Sequence, residues 1–272
     1  MVYEIKPINK LSLGVKELWE FRELFYFFTW RDIKVKYKQT VLGVLWAILQ
    51  PFLLMLVFTL FFDMGLGIPS NNIPYPVFVY SGLLLWNVFS SGLSSASQSM
   101  VSNANIIKKI YFPRLIIPIS SILVSLFDFM MTFIVYVGIL IYYRQSVQLN
   151  ILIYLPISII ITIMTTFGLG SGLAALNVKY RDFRYIIPFL IQLLLFITPV
   201  IYPISIVKYE WAKLLLSLNP MTGAIELFRA SIVQNDPVNL AMLLTSCISS
   251  LVLFLLGLFY FRKTENYFAD FA

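Results

Sequence analysis

Asp128 is the residue of this 272-residue sequence best placed to do chemistry. It lies near the middle of an apolar run from Leu115 to Tyr143. A charged side chain at such a position costs roughly 2.5–3.5 kcal/mol to place at the centre of a bilayer. Two roles fit the carboxylate. It could take up and release a proton or ion, or it could accept hydrogen bonds that lock neighbouring helices. A coupled pump would carry several such groups, whereas the other apolar runs offer only Gln50 and Gln192 as large polar residues. That balance favours the helix lock, and on either reading Asp128 faces the interior of a bundle.

The remaining candidates are cationic or aromatic. Residues 103 to 114, Asn-Ala-Asn-Ile-Ile-Lys-Lys-Ile-Tyr-Phe-Pro-Arg, interleave Lys108, Lys109 and Arg114 with Ile106, Ile107, Ile110 and Phe112. A loop that only sets topology needs the cations but not the apolar residues. Both together on an exposed element read as a docking surface. Residues 177 to 185, with Lys179, Arg181 and Arg184, are a second candidate, which ordinary topology signals explain equally well. Arg31, Lys34, Lys36 and Lys38 precede the first apolar run, and the bias of cations toward one membrane face accounts for them. Most of the 24 Phe, 16 Tyr and 5 Trp would face lipid or sit in interface belts. A few on the first and fifth runs, Phe52, Phe58, Phe189 and Phe196, could line a channel and stack on sugar rings through their faces.

Several chemistries are excluded by what the sequence lacks. No Gly-x-x-x-x-Gly-Lys-Ser/Thr occurs, so there is no loop of that type to cradle a triphosphate. There is no histidine, which removes the commonest general base and metal ligand. No paired carboxylates stand at catalytic spacing, so a membrane-embedded lipid-modifying enzyme is disfavoured. Cys247 is the single cysteine, so no intrachain disulfide can form.

The elements that must position these residues follow from composition. The chain is 60% hydrophobic and only 12% charged, against about 25% charged in soluble domains. The +7 net charge does not indicate a nucleic-acid partner, because the cations sit between apolar runs rather than on one polar domain. The first forty residues lack the short apolar core of a cleavable signal and are expected to stay on the mature chain.

Six runs approach the roughly 20 residues a membrane helix needs: about 41–62, 77–101, 115–143, 151–176, 186–201 and 238–261. The stretch from Ser90 to Ser102 is rich in Ser and Gly and should face protein. Gly168, Gly170 and Gly172 form a small-residue packing strip. The fifth run is short and flanked by Pro188, Pro199 and Pro203. It predicts a segment that ends in a re-entrant turn, followed over 204–236 by two short helices dipping into the outer interface. Residues 13–30 predict a helix along the membrane surface. Val15, Leu18, Trp19, Phe21, Phe25 and Phe28 lie on one face, opposed by Lys16, Glu17, Glu20 and Glu23, with Arg22 out of pattern on the apolar side. The fold class is therefore an all-α membrane protein: one transmembrane domain over 1–272, six spans, an amphipathic interface helix and re-entrant helices before the last span. Six spans put sixteen Lys and Arg on the side of both termini and four on the other, which places both termini in the cytoplasm.

The stretch Thr29-Trp30-Arg31-Asp32-Ile33-Lys34-Val35-Lys36-Tyr37-Lys38-Gln39-Thr40-Val41-Leu42-Gly43-Val44-Leu45-Trp46, followed by Gln50-Pro51, resembles the permease subunits of ABC exporters for O-antigen, capsule or teichoic acid. Asn105 to Lys109 with Phe112-Pro113, Leu218-Asn219-Pro220-Met221 with Phe228-Arg229, and the ending Phe261 to Asp270 are similar too, so the likeness runs through nearly the whole chain. It implies a homodimeric inner-membrane permease of polysaccharide export, for example in lipopolysaccharide biosynthesis. No cofactor would sit in this chain; ATP and Mg would be bound by two separate nucleotide-binding subunits. The resemblance implies that those subunits dock on Glu17, Glu20, Asn103, Asn105, Ile107, Lys108, Lys109, Tyr111, Phe112 and Arg181. It further implies an outer gate containing Pro220, Met221, Glu226 and Arg229. Arg31, Lys34, Lys36 and Lys38 would then meet the pyrophosphate of a lipid-linked polysaccharide entering from the inner leaflet. The competing expectation is an ion-coupled secondary transporter that uses Asp128.

Overall fold

The computed structural model describes residues 15–38, 43–70, 73–233, 238–265 and 268, and among these there is no strand. From the N-terminal side, α1 (Val15–Glu20) and α2 (Arg22–Lys38) meet at a turn at Phe21. Next, α3 (Gly43–Phe58) runs on as a π-helical segment, Thr59–Gly65. After α4 (Tyr75–Ser102) and the single turn α5 (Ala104–Ile107) come α6 (Ile116–Tyr142) and α7 (Ile151–Lys179). Then α8 (Phe183–Ile197), α9 (Glu210–Ser217) and α10 (Pro220–Ala230) lead to α11 (Leu240–Thr264).

Five helices are long and apolar enough to cross a membrane: Gly43–Gly65, Tyr75–Ser102, Ile116–Tyr142, Ile151–Lys179 and Leu240–Thr264. The chain is a multi-pass membrane protein. The fifth expected run departs from the six-span count. α8 has 15 residues and, at about 1.5 Å per residue, is shorter than a hydrocarbon core of about 30 Å. Its end is set locally. Thr198 precedes Pro199, and proline pushes the residue before it to extended backbone; Thr198 has φ −73°, ψ 138°. Its hydroxyl donates to the Leu194 carbonyl at 2.7 Å, satisfying one acceptor at the helix end.

The two short helices expected over 204–236 are α9 and α10, preceded by a 3-10 turn, Ile204–Ile206. α10 starts sharply. The Asn219 carboxamide oxygen accepts the Met221 N–H at 3.1 Å, and Pro220 fits a first helical position. Asn239 caps α11 in the same way through the Met242 N–H at 3.2 Å. The surface helix expected over 13–30 differs more. Residues 13 and 14 lie outside the described residues, the helix breaks at Phe21, and α2 continues to Lys38. Its apolar face rests on protein: Leu18, Phe21, Leu24, Phe25 and Phe28 pack on a cluster with Ile107, Phe112, Ile116, Phe261 and Phe268. Trp19 is turned away from that face and exposed.

α4 is the central helix. Val77, Phe78, Val79 and Tyr80 are fully buried, and the helix packs against α6, α7 and α10. Burial extends along its Ser-rich half, where Gly92, Ala96, Ser97 and Ser99 are enclosed. Lipid tails are as apolar as leucine, so close packing must hold such helices together. The glycine strip does this. A Cβ on Gly168 would lie 2.5 Å from the Leu253 carbonyl oxygen, and one on Gly257 would overlap the Gly168 carbonyl itself. α7 and α11 therefore touch backbone to backbone.

Candidate functional site: a polar cavity among the spans

The four helices α3, α4, α6 and α8 line an open cavity of about 610 Å³, with Lys36 of α2 at its edge. Its largely apolar wall carries a group of polar side chains. α3 supplies Gln50; α4 supplies Asn87, Ser90, Ser91 and Ser94; α6 supplies Ser125, Asp128 and Thr132. Helical geometry explains the grouping. Asn87, Ser91 and Ser94 are spaced i, i+4, i+7, and Ser125, Asp128 and Thr132 are spaced i, i+3, i+7, so each set shares one face. Several hydroxyls donate back to their own helix: Ser91 to the Asn87 carbonyl at 2.6 Å, Ser125 to Ile122 at 2.7 Å, Thr132 to Asp128 at 3.1 Å. Their backbone bonds hold the donors while the oxygens keep acceptor capacity for a hydroxyl-rich occupant.

Asp128 sits at this wall and is already engaged. Its two carboxylate oxygens accept from the Lys36 ammonium at 2.5 Å and from the Tyr37 hydroxyl. Burial, reinforced by the Asp128 carboxylate, holds the Tyr37 phenol well above its ordinary range, so it stays a donor. The geometry is that of a lock between the end of α2 and the middle of α6. Asp128→Leu should lower stability by about 1–2 kcal/mol, because it leaves a half-buried phenol without its acceptor. Asp128→Asn keeps an acceptor and loses only a partly exposed ion pair, for less than about 1 kcal/mol. Thermal unfolding in detergent measures both, and equal losses would refute the lock.

Arg229 forms a second constellation. It is 2% exposed. Nη1 donates to the Pro199 carbonyl at 2.5 Å and to Glu226 at 3.1 Å; Nη2 donates to the carbonyls of Val200 at 2.6 Å and Phe78 at 3.2 Å; Nε reaches the Ser81 hydroxyl at 3.3 Å. The guanidinium also lies 3.6 Å from the Phe78 ring centroid. It thus ties α10, the irregular backbone after α8, and α4 into one unit. Pro220 and Met221 are buried in the same packing, and Glu226 is half-buried.

The stretch from 103 to 112 divides in two. Asn105, Lys108, Lys109, Ile110 and Tyr111 are exposed, but Ile107 and Phe112, expected to face outward, are buried. They anchor the loop: Phe112 lies 5.6 Å from Phe28 of α2, centroid to centroid. Asn103 is half-buried and joins α4 to α2. Its amide donates to the Ser99 carbonyl at 2.8 Å, and its oxygen accepts from Arg31 at 2.9 Å. Glu20 is exposed, while the Glu17 side chain lies outside the described residues. Arg181 is exposed near a separate hollow.

The four cations of α2 are also not equivalent. Arg31 is paired with Asp32 and Asn103, and Lys36 with Asp128. Lys34 and Lys38 are exposed, Lys34 lying over the Trp30 ring at 5.3 Å. None of the four expected aromatics lines the cavity. Phe58 is buried against Phe62, Phe52 packs on the same core, and Phe189 and Phe196 are exposed on α8. The aromatic residues at the cavity are Trp46 and Phe129. The polar rows on α4 and α6 were missed in the sequence, although their i, i+4, i+7 and i, i+3, i+7 spacings were available.

The family model for ABC-2 type transporters matches residues 23–233. The chain is 30% identical over 258 residues to the O-antigen export system permease protein RfbA of Myxococcus xanthus, covering 94% of this chain and 98% of that one. It is 30% identical over 250 residues to the protein of the same name from Klebsiella pneumoniae, at 91% and 94% coverage. It is 26% identical over 244 residues to the polysialic acid transport protein KpsM of Escherichia coli, at 87% and 91% coverage.

Proposed function

The chain belongs to the ABC-2 type transporter family, and from that premise we propose that it is the membrane permease half of an ATP-driven exporter of a lipid-linked polysaccharide. The observation that carries this reading is the polar cavity. Hydroxyl and carboxamide groups gathered inside a protein of apolar helices suit a glycan, whose surface is hydroxyl groups on apolar ring faces. The relatives' names, O-antigen and polysialic acid export, support the same class of cargo.

On this reading the site is completed by a second copy. α3 and α8 carry apolar faces away from the bundle, including Leu45, Leu53, Leu56, Phe189, Leu193 and Phe196. A partner seated there would bring two cavities together, and the exposed aromatics of α8 would then border the pathway with Phe52 and Phe58 behind them. The chain crosses the inner membrane six times, α8 and the Thr198–Tyr202 turn making the fifth passage. Both termini are cytoplasmic, consistent with sixteen cations on that side and four on the other. α9 and α10, latched by Arg229, form the outer gate. Lys34 and Lys38 are the cations left to meet a pyrophosphate at the entrance.

Two nucleotide-binding subunits supply ATP hydrolysis with Mg, and they dock on Asn105, Lys108, Lys109, Ile110 and Tyr111. Because Ile107 and Phe112 anchor this loop to α2, a push on it is transmitted to α2 and through Lys36, Tyr37 and Asp128 to α6. The reversal Lys108→Glu with Lys109→Glu should weaken recovery of the ATPase subunit about tenfold while leaving permease unfolding unchanged, since both side chains are exposed. Co-purification from detergent measures this, and undiminished recovery would remove the loop from the interface. The function itself is tested by ATP-dependent movement of a lipid-linked glycan in inverted vesicles containing both subunits. Transport by the permease alone, driven by an ion gradient and abolished by Asp128→Asn, would replace this reading with secondary transport.

A further inference from the structure

Besides the central cavity, the bundle carries a hollow of about 400 Å³ where α4 and α7 end and α8 begins. Its walls combine two kinds of surface. Gln98 and Ser102 of α4, Arg181 of the α7–α8 turn, and Arg184 and Tyr185 at the start of α8 are polar; Val101 and Val178 are apolar. The walls are fastened together, because buried Asn177 of α7 donates its amide to the Ser97 carbonyl of α4 at 3.0 Å. The turn is fixed as well: the Arg184 N–H donates to the Arg181 carbonyl at 3.2 Å.

The hollow brings two arginines together with no acidic residue on its wall. Among the described residues, Arg31, Lys36, Lys213, Arg229 and Arg262 each have a carboxylate partner. Arg181 and Arg184 form no such ion pair. No Asp or Glu lines the hollow; Asp182, in the same turn, is exposed and outside its wall. Two guanidinium groups beside a hydroxyl and a carboxamide match the oxygens of a phosphate, which arginine binds in forked geometry. The position adds a constraint. Ser102 and Lys179 end two of the membrane-crossing helices, which is the depth of lipid headgroups rather than of the hydrocarbon core.

We propose that this hollow binds a phosphate group through Arg181 and Arg184, carried by the headgroup of an anionic lipid. The apolar patch of Val101 and Val178 would meet the first methylenes of the acyl chains of such a lipid. The proposal is independent of what the central pathway transports, and it assigns Arg181 to lipid rather than to the ATPase subunit.

The test is native mass spectrometry of the full-length chain from detergent containing graded phosphatidylglycerol. Retained lipid on the unsubstituted protein, and about tenfold weaker retention on R181Q/R184Q, are expected. K208Q/K263Q removes the same number of exposed cations elsewhere and should retain lipid like the unsubstituted protein. R181K/R184K keeps the charge but loses the fork, and should fall between. Competition by inorganic phosphate at millimolar concentration distinguishes the sources. Displacement of the lipid means that phosphate alone is recognised; its persistence means that the acyl chains contribute. Equal retention by R181Q/R184Q, equal loss in K208Q/K263Q, or no lipid or phosphate bound to the unsubstituted protein overturns the proposal. A thermal unfolding curve for R181Q/R184Q that matches the unsubstituted protein separates lost binding from lost folding.

Discussion

Arg229→Ala should destabilise the permease by about 3–5 kcal/mol, the range for removing one partner from a buried charge network. The carbonyls of Pro199 and Val200 would lose their donors, and these belong to backbone that has left the helix after α8. Backbone of that kind is tolerated at membrane depth only while other groups satisfy it. Glu226 would lose the cation at 3.1 Å, and the Phe78 face would lose the guanidinium stacked on it. Lysine cannot replace this arrangement, because one ammonium on a flexible stem does not reproduce a planar fork. Arg229→Lys should therefore fall well below the unsubstituted protein, with Arg229→Ala lower still. Thermal unfolding in detergent gives the order. A curve for Arg229→Ala superimposed on that of the unsubstituted chain would show that the contacts carry no weight. Glycan export should decline with stability, since α10 and the end of α8 are held through the same side chain.

How much of this was legible in the sequence depended on the distance over which each feature is encoded. The helices around 75–102, 116–142, 151–179 and 240–264 were readable because each is an apolar run long enough to declare itself. A break after α8 was signalled by Pro199 and Pro203, but the run expected to reach Ile201 stops at Ile197, where Pro199 forces Thr198 to extended backbone, and it falls short of a full crossing. Ile107 and Phe112 were misplaced for a different reason. A four-residue turn has too few positions to reveal a buried face, so their burial against Phe28 and Phe261 depends on residues far along the chain. The Arg229 latch has the same character: Phe78 and Ser81 are separated from it by 151 and 148 residues, and no local pattern marks them as its acceptors. The cavity lies between these cases. Asn87, Ser91 and Ser94 were visible as a polar stripe, but serines and glycines interleaved on one helix also signal tight packing. α4 does both, packing through Gly92 and Ala96 on one side and lining the cavity with Ser91 and Ser94 on the other.

Gly257→Leu should damage the bundle by more than about 3 kcal/mol, above the usual range for overpacking. Most overpacked sites relax because a neighbouring side chain turns aside. Here the atom in the way is the backbone carbonyl of Gly168, which cannot move without shifting α7. Separating α7 from α11 would also disturb the bond at 3.2 Å from the Thr165 hydroxyl to the Ser250 hydroxyl and the close approach of Gly223 to Ser246, so the loss should spread to α10. Gly168→Ala should act in the same direction, since its Cβ would meet the Leu253 carbonyl oxygen and the Phe254 Cα at 2.5 Å. Gly172→Ala is the matched control: its Cβ would stand 3.4 Å from the Gly257 Cα, an ordinary contact, and alanine favours the helix. The decisive measurement is thermal unfolding of the three variants with size-exclusion profiles in one detergent. If Gly257→Leu were as stable and monodisperse as Gly172→Ala, α7 and α11 would have to be further apart in the membrane than their backbones lie here.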